Sequence, residues 1–282
     1  MNVFSTLANP GLPIPLTQVS YNKKTSREAP YVIRNGDEVK SFALCPACRN
    51  PTLLVNRLVP TTNAEVLYAK HAGYSVAGLA NHNQAAYEEC PFHNPDRFDS
   101  KARRTSKERN EEIRDALLNH IHLVVKEIER ATGITLIDSI IESMLEDFGG
   151  NQGYQYKAIT LYNLPFGFAY MTEAQDMYGC KVDSTLAEHI NKKSVGFEVK
   201  GYQTVYRKKG VSGSDLRFYF NNHRLGEGVS GKDSIDLVIV EIDRASSGSK
   251  VIVQRRVEFD SAYFFNTYMR RERLRLLALK HL

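Results

Sequence analysis

Two short turns containing cysteine constrain the fold of this chain more than any other feature. Cys45-Pro-Ala-Cys48 places two thiols at positions i and i+3, and Cys90 and His93 repeat that spacing further along the chain. Ligands with this spacing lie on one side of a turn, so two such turns can supply three thiolates and one imidazole to a tetrahedral Zn²⁺. Four protein ligands close the coordination shell, and the sequence therefore predicts a structural zinc site.

Other roles for these cysteines fit the sequence less well. In thiol redox enzymes Cys-x-x-Cys lies at a strand-to-helix junction, but the segment after Cys48 is typical of a strand. Three of the four cysteines fall in the two turns, and the fourth, Cys180, is expected to be a small buried residue. His71 and His82 lie between the turns and stay open as replacements for His93.

The composition bounds the class of protein. The chain has 282 residues, of which 42% are hydrophobic and 24% charged, so packed domains are expected rather than disorder. The first residues lack the basic and apolar regions of a secretory signal, and no apolar run approaches the ~20 residues of a membrane helix. We therefore expect a cytoplasmic, microbial protein whose thiols are kept reduced for metal binding.

The spacing of the apolar residues predicts an α+β fold. Steps of three and four after residue 105 indicate two amphipathic helices, the first beginning at a capping box formed by Thr105 and Glu108. From residue 155 onward apolar and polar residues alternate as in strands, and residues 237–240 are apolar on both faces, as in a central strand. We expect a zinc-ribbon-like N-terminal module, a helical hairpin, and a mainly antiparallel sheet with flanking helices.

These patterns divide the chain into four segments. They are an extended N-terminal segment (1–40), a zinc-binding module (41–104), a helical hairpin (105–150) and an α+β sheet domain (151–282). Residues 43–95 resemble the zinc-ribbon modules of proteins that handle nucleic acid. That resemblance implies DNA, RNA or a nucleic-acid-processing protein complex as the partner.

Positive charge is concentrated at two places along the chain. The net charge is +5, and a local positive field attracts the phosphates of nucleic acids. The leading hypothesis is therefore a zinc-stabilised nucleic-acid-binding protein, or an accessory protein of a nucleic-acid complex, without a catalytic centre of its own. The cations from which we expect phosphate contacts are Arg103, Arg104, Lys107, Arg270, Arg271, Arg273 and Arg275.

Two alternatives stay open. Glu198 and Lys200 share one face of a predicted strand, and with Asp183 they resemble the Asp…Glu-x-Lys site of metal-dependent nucleases. That resemblance implies that the two carboxylates hold Mg²⁺ while the lysine orients water or offsets phosphate charge. Asp183 is also placed to cap the helix that follows it, which weighs against this site. In the second alternative the chain is an adaptor whose basic C-terminal helix docks on an acidic protein.

Overall fold

The fold is known from a computed structural model, which describes residues 1, 3–59, 64–90, 92–93, 97–226, 232–246 and 248–282. Within these residues the chain forms seven α-helices and mainly antiparallel sheets, which confirms the predicted α+β class. Two compact units are present. Unit 1 comprises the described parts of Met1–Asp96 and of Asp260–Leu282, and unit 2 comprises Arg97–Gly226 and the described part of Lys232–Phe259.

The bounds of the elements follow in chain order. The helices are α1 (Gln18–Thr25), α2 (Gln84–Glu88), α3 (Lys107–Thr132), α4 (Asp138–Gly150), α5 (Leu164–Tyr170), α6 (Ser184–Lys193) and α7 (Ser261–His281). The strands are β1 (Val3–Thr6), β2 (Asn9–Pro15), β3 (Val32–Asn35), β4 (Glu38–Leu44), β5 (Pro51–Val59), β6 (Ala64–His71), β7 (Ile134–Thr135), β8 (Gln175–Asp176), β9 (Lys181–Val182), β10 (Phe197–Lys200), β11 (Thr204–Arg207), β12 (Ser214–Arg224), β13 (Ser234–Asp243) and β14 (Ser249–Glu258).

Unit 1 is built on one antiparallel sheet with the strand order β2-β1-β4-β5-β6, and β3 pairs with β4. The first 40 residues, predicted as an extended segment, contribute β1, β2, α1 and β3 to it. Tyr21 fixes α1 against the sheet, because its ring is buried beside Phe4 and its hydroxyl donates to the carbonyl oxygens of Tyr31 and Phe42. The segment between the two cysteine turns forms the paired strands β5 and β6 and the short helix α2, and β5 confirms the strand predicted after Cys48.

The C-terminal helix α7 belongs to unit 1, whereas the sequence grouped it with residues 151–282. Its first half packs on β2 through the buried side chains of Phe264 and Tyr268, and Asn266 donates a hydrogen bond of 3.0 Å to the Pro13 carbonyl. From Met269 to the end of α7 no residue is buried. The second half of the helix is thus left without a packing surface among the described residues.

Unit 2 contains two four-stranded antiparallel sheets, β10-β11-β9-β7 and β14-β13-β12-β8. β13 lies between two long neighbours and is buried over most of its length, which confirms the central strand predicted at 237–240. Both predicted helices are present as α3 and α4, but α3 packs mainly on α5 and not on α4, so the two do not form the predicted helical hairpin. The N-cap of α3 is Ser106, which accepts from Arg109 N, so the predicted capping box at Thr105 was one residue too early.

A buried imidazole lies at one end of β12. The ring of His223 stacks on Phe98 at a centroid distance of 3.9 Å, and its Nδ1 accepts a hydrogen bond of 2.9 Å from the Phe98 amide. Nε2 lies 4.0 Å from Asp233 Oδ2. Burial and, to a lesser degree, the positive charge of Arg97 lower the pKa of His223 from 6.5 to about 4. The ring is therefore neutral at physiological pH.

Among the residues that the structure describes, no helix is both long and apolar enough to cross a membrane.

Candidate metal centre

Four side chains from three segments of unit 1 converge on one point. Cys45 and Cys48 lie in the turn between β4 and β5, His71 is the last residue of β6, and Cys90 follows α2. The three sulfur atoms and one histidine nitrogen all lie within 4.8 Å of one another. The structure thus brings both cysteine turns together around a possible metal position, as the sequence predicted.

Three distances within this group are close to the edges of a zinc tetrahedron. Cys45 Sγ lies 3.6 Å from Cys90 Sγ, and His71 Nε2 lies 3.3 Å from Cys48 Sγ and 3.5 Å from Cys90 Sγ. Tetrahedral Zn²⁺, with Zn–S of about 2.3 Å and Zn–N of about 2.0 Å, requires S···S edges of about 3.8 Å and S···N edges of about 3.5 Å. A disulfide would need sulfurs about 2.05 Å apart, and all four cysteines are free. The donor set and its spacing therefore fit a zinc ion.

The backbone of the first turn explains why its two thiols point to one side. Cys45 N donates to Asn50 O at 2.9 Å, and Arg49 N donates to Cys45 O at 2.9 Å, so the chain reverses between β4 and β5. Arg49 closes the turn in the left-handed region, with φ of 60°. This reversal places the thiols of Cys45 and Cys48 on the same side of the turn without help from a metal ion.

Asn50 joins the first half of the site to the second. Its side chain, 1% exposed, donates to Cys48 Sγ at 3.4 Å and exchanges two hydrogen bonds with the backbone of Asn83. Asn83 in turn caps α2, the helix that leads into Cys90. Mutation of side chains that hold metal ligands in place typically lowers metal affinity by about 10- to 100-fold. The sequence analysis did not identify Asn50, because its role depends on contacts with a distant segment.

Burial and electrostatics differ among the ligands. Cys45 and Cys90 are 0% and 2% exposed and belong to the apolar core of unit 1, whereas Cys48 and His71 are half-buried at its edge. Burial raises the pKa of Cys45, and hydrogen bonds from Cys45 and Cys90 lower the pKa of Cys48. For Cys90 the hydrogen bond with Cys45 lowers the pKa, but Cys48 and burial raise it, to about 12. Burial and the neighbouring thiols thus oppose ionisation of Cys45 and Cys90, and a bound divalent cation would favour their thiolate forms.

The fourth member of the group is His71, one of the two replacements that the sequence left open for His93. The ring of His93 stacks on Tyr87 at 3.6 Å and lies 6.0 Å from the ring of His71. His82 is hydrogen-bonded through Nε2 to Gln84 at 3.0 Å. His71 is opposite Thr52 in the register of β5 and β6, and this pairing places it beside the first cysteine turn. Strand register is the signal that distinguishes it from His93.

The assignment of the fourth ligand can be tested by a pair of substitutions. We expect His71→Ala to lower the affinity for zinc by more than about 100-fold, because it removes a ligand rather than a residue outside the coordination shell. We expect His93→Ala to change it by less than about threefold, since the ring can be lost without opening the shell. Competition with a chromophoric chelator measures both affinities. A larger loss in His93→Ala than in His71→Ala would contradict the assignment.

The predicted phosphate-binding cations fall into two groups. Arg103 lies over the Tyr156 ring at 3.9 Å, and Arg104 donates to a series of backbone carbonyls between residues 154 and 159. Arg275 forms a double hydrogen bond with Glu272. These three arginines hold the chain's own structure. The exposed cations that have no hydrogen-bond or ion-pair partner among the described residues are Lys107, Arg270, Arg271 and Arg273.

The residues of the nuclease alternative have partners of other kinds. Asp183 is the N-cap of α6, accepts from Leu186 N at 2.7 Å, and lies 3.5 Å from the guanidinium of Arg255. Glu198 forms an ion pair of 2.6 Å with Lys200 on the same face of β10. Within the described residues, the Cys–His group is the only set of three or more possible metal ligands in mutual reach.

Comparison with known proteins leaves the functional argument to the chemistry of the site and of the surface. No family model, curated protein or solved structure matches this chain.

Proposed function

We propose that this chain is a zinc-stabilised nucleic-acid-binding protein, in which Zn²⁺ holds unit 1 together and exposed arginines of α7 contact phosphates. The observation that carries the proposal is that the Cys–His group and the unpartnered arginines belong to the same compact unit. The metal builds the scaffold, and the helix attached to that scaffold presents the charge.

The arginines of α7 are suited to phosphate. Arg270, Arg271 and Arg273 fall within one helical turn, about 4.5 Å along the axis, so their guanidinium groups project around a short stretch of helix. The nearest acid in the sequence, Glu272, is bound by Arg275 through two hydrogen bonds. The positive field of this stretch is therefore not neutralised locally. One guanidinium group can donate two parallel hydrogen bonds to the oxygens of one phosphate, which favours arginine for nucleic-acid contacts.

Two observations support a binding role without catalysis at the metal. Four protein ligands leave no open position for water or substrate, which is typical of structural rather than catalytic zinc. The carboxylates of Asp183 and Glu198 are engaged with a helix N-terminus and with cations of the chain. A structural zinc ion would explain the Cys–His group of unit 1, and phosphate binding would explain the exposed arginines of α7.

The proposal is tested by the salt dependence of nucleic-acid binding. Fluorescence anisotropy with labelled single- and double-stranded oligonucleotides, between about 50 and about 200 mM salt, gives the slope of log affinity against log salt. We expect the triple variant R270A/R271A/R273A to bind more weakly and to have a slope smaller by about 2 to 3, because each phosphate contact contributes about 0.7 to 0.9.

The matched control is K23A/K24A/R34A, which removes three exposed cations from the same unit. It should retain the affinity and slope of the unchanged protein. Equal losses in the two triple variants would mean that net charge, and not α7, governs binding. Absence of binding at the lowest salt would overturn the proposed function. Zinc content confirms that each variant keeps the fold of unit 1.

A further inference from the structure

The outer face of α4 in unit 2 carries a shallow groove, open to solvent, with acidic and apolar side chains. It is lined by Asp138, Ile141, Glu142, Leu145 and Glu146. Their spacing of i, i+3, i+4, i+7 and i+8 places them on one side of the helix. The opposite side, with Ile140, Met144 and Phe148, is buried.

Most of the groups on this face are exposed, and only Ile141 is partly buried. The three carboxylates are exposed and have no ion-pair or hydrogen-bond partner there, and Leu145 is 38% exposed. Carboxylates alone would be ordinary hydrated surface. Two apolar side chains set between them in a groove are instead suited to a helix that offers both cations and apolar groups.

The second half of α7 has the complementary pattern. Arg270, Arg273, Leu274 and Leu277 fall at i, i+3, i+4 and i+7, on one side of the helix. Both leucines are 47% exposed, and neither arginine has a partner among the described residues. Helical segments of this length are marginal in water unless an apolar face is covered. This side of α7 therefore has a charge opposite to that of the α4 groove, and it has apolar groups that match Ile141 and Leu145.

We propose that α7 of one copy of this chain docks in the α4 groove of a second copy. The arginines would face the carboxylates, and the leucines would cover Ile141 and Leu145. Because the two patches differ, the contact is heterologous, and copies would join head to tail. A single helix in a groove is a small interface, so we expect reversible association that is weakened by salt.

This contact uses two of the arginines that the proposed function assigns to phosphates. Arg270 and Arg273 cannot face α4 and nucleic acid together, so self-association and nucleic-acid binding would compete. The docking itself does not require nucleic-acid binding, and its test contains no nucleic acid.

The test is a charge exchange between the two patches, read by sedimentation velocity at low salt over micromolar to submillimolar protein. One variant, E142R/E146R, makes the groove basic, and a second, R270E/R273E, makes α7 acidic. Each alone should associate at least about tenfold more weakly than the unchanged protein, since like charges would then face each other. An equimolar mixture of the two should associate again, because each offers the charge that the other needs.

The control variant D115R/E188R reverses two exposed acids of unit 2 that lie outside the groove and should associate like the unchanged protein. An unchanged protein that stays monomeric over the whole range would overturn the proposal. So would a mixture that fails to associate when both variants retain zinc and helical content. Equal weakening in the control would show that total charge, rather than these two patches, is responsible.

Discussion

Removal of zinc with a strong chelator is expected to unfold unit 1 and to leave unit 2 folded, and Cys45→Ser is expected to do the same without a chelator. Cys45 and Cys90 are part of the apolar core that also contains Phe4 and Leu54, so loss of a metal from this site would also disturb the core. Structural zinc contributes about 10 to 16 kcal/mol to the folding of small metal-binding domains. That is as large as the whole free energy of unfolding of a typical domain, about 5 to 15 kcal/mol.

Two measurements check this result. Metal analysis of the purified protein should find about one zinc per chain. Peptide-resolved hydrogen exchange should show loss of protection in β4, β5 and β6 after chelation, with β12 and β13 unchanged. The matched control is Cys180→Ser, which changes a buried cysteine of unit 2. Equal zinc content in Cys45→Ser and Cys180→Ser would contradict the site.

Acidification from pH 7 to pH 4 is expected to lower the free energy of unfolding of unit 2 by about 3 kcal/mol through His223 alone. In the folded chain the pKa of His223 is lowered to about 4, mainly by burial, whereas the unfolded chain has the ordinary value of 6.5. Between about pH 4 and pH 6.5, His223 is protonated in the unfolded chain and neutral in the folded chain. The stabilisation is therefore complete above about pH 6.5 and is lost as the pH falls toward 4.

A variant isolates this contribution from other groups that titrate in the same range. Asp99 opposes the shift of His223, and burial raises the pKa of Asp233, whose carboxylate faces Nε2. His223→Asn removes the titration while offering an oxygen to the Phe98 amide. Urea unfolding followed by hydrogen exchange in β12 and β13 should show a pH dependence weaker by about 3 kcal/mol in the variant. The same dependence in both proteins would show that His223 is not the titrating group.

Ligand chemistry made part of the metal centre predictable. Cys45 and Cys48 could be assigned from spacing alone, because thiols at i and i+3 of a turn are typical zinc ligands. Cys90 was assigned through its spacing to His93, which does not belong to the group. The histidine could not be assigned in this way. Position along the sequence allows either His71 or His93 to be the fourth ligand. Only the register of β5 and β6, which pairs Thr52 with His71, decides between them.

Surface charge was a weaker guide than ligand spacing. Arg103 and Arg104 belong to a basic run, but their guanidinium groups are taken up by a segment about fifty residues away, which no local pattern reveals. The opposite holds for α7, where exposed Arg270, Arg271 and Arg273 agree with the prediction of surface charge. The sequence does not separate them, because an arginine bound by the chain's own carbonyl groups and an unpartnered arginine have the same local pattern.

The spacing of apolar residues predicted which helices and strands are present better than where they begin or what they pack against. The central strand β13 follows from its continuous apolar run, because both of its faces are covered. The start of α3 was displaced by one residue, since both Thr105 and Ser106 are good caps and only the backbone geometry selects one. The packing of α3 on α5 was not foreseen, because a helix stripe shows which face is buried but not against what.

The order of the ligands along the chain has a consequence for biosynthesis. Cys45 and Cys48 leave the ribosome first, His71 reaches them only after β6 has paired with β5, and Cys90 arrives last, beyond α2. A growing chain would therefore offer a metal ion two thiols at first, and the group of four ligands is complete only when the ninetieth residue has emerged.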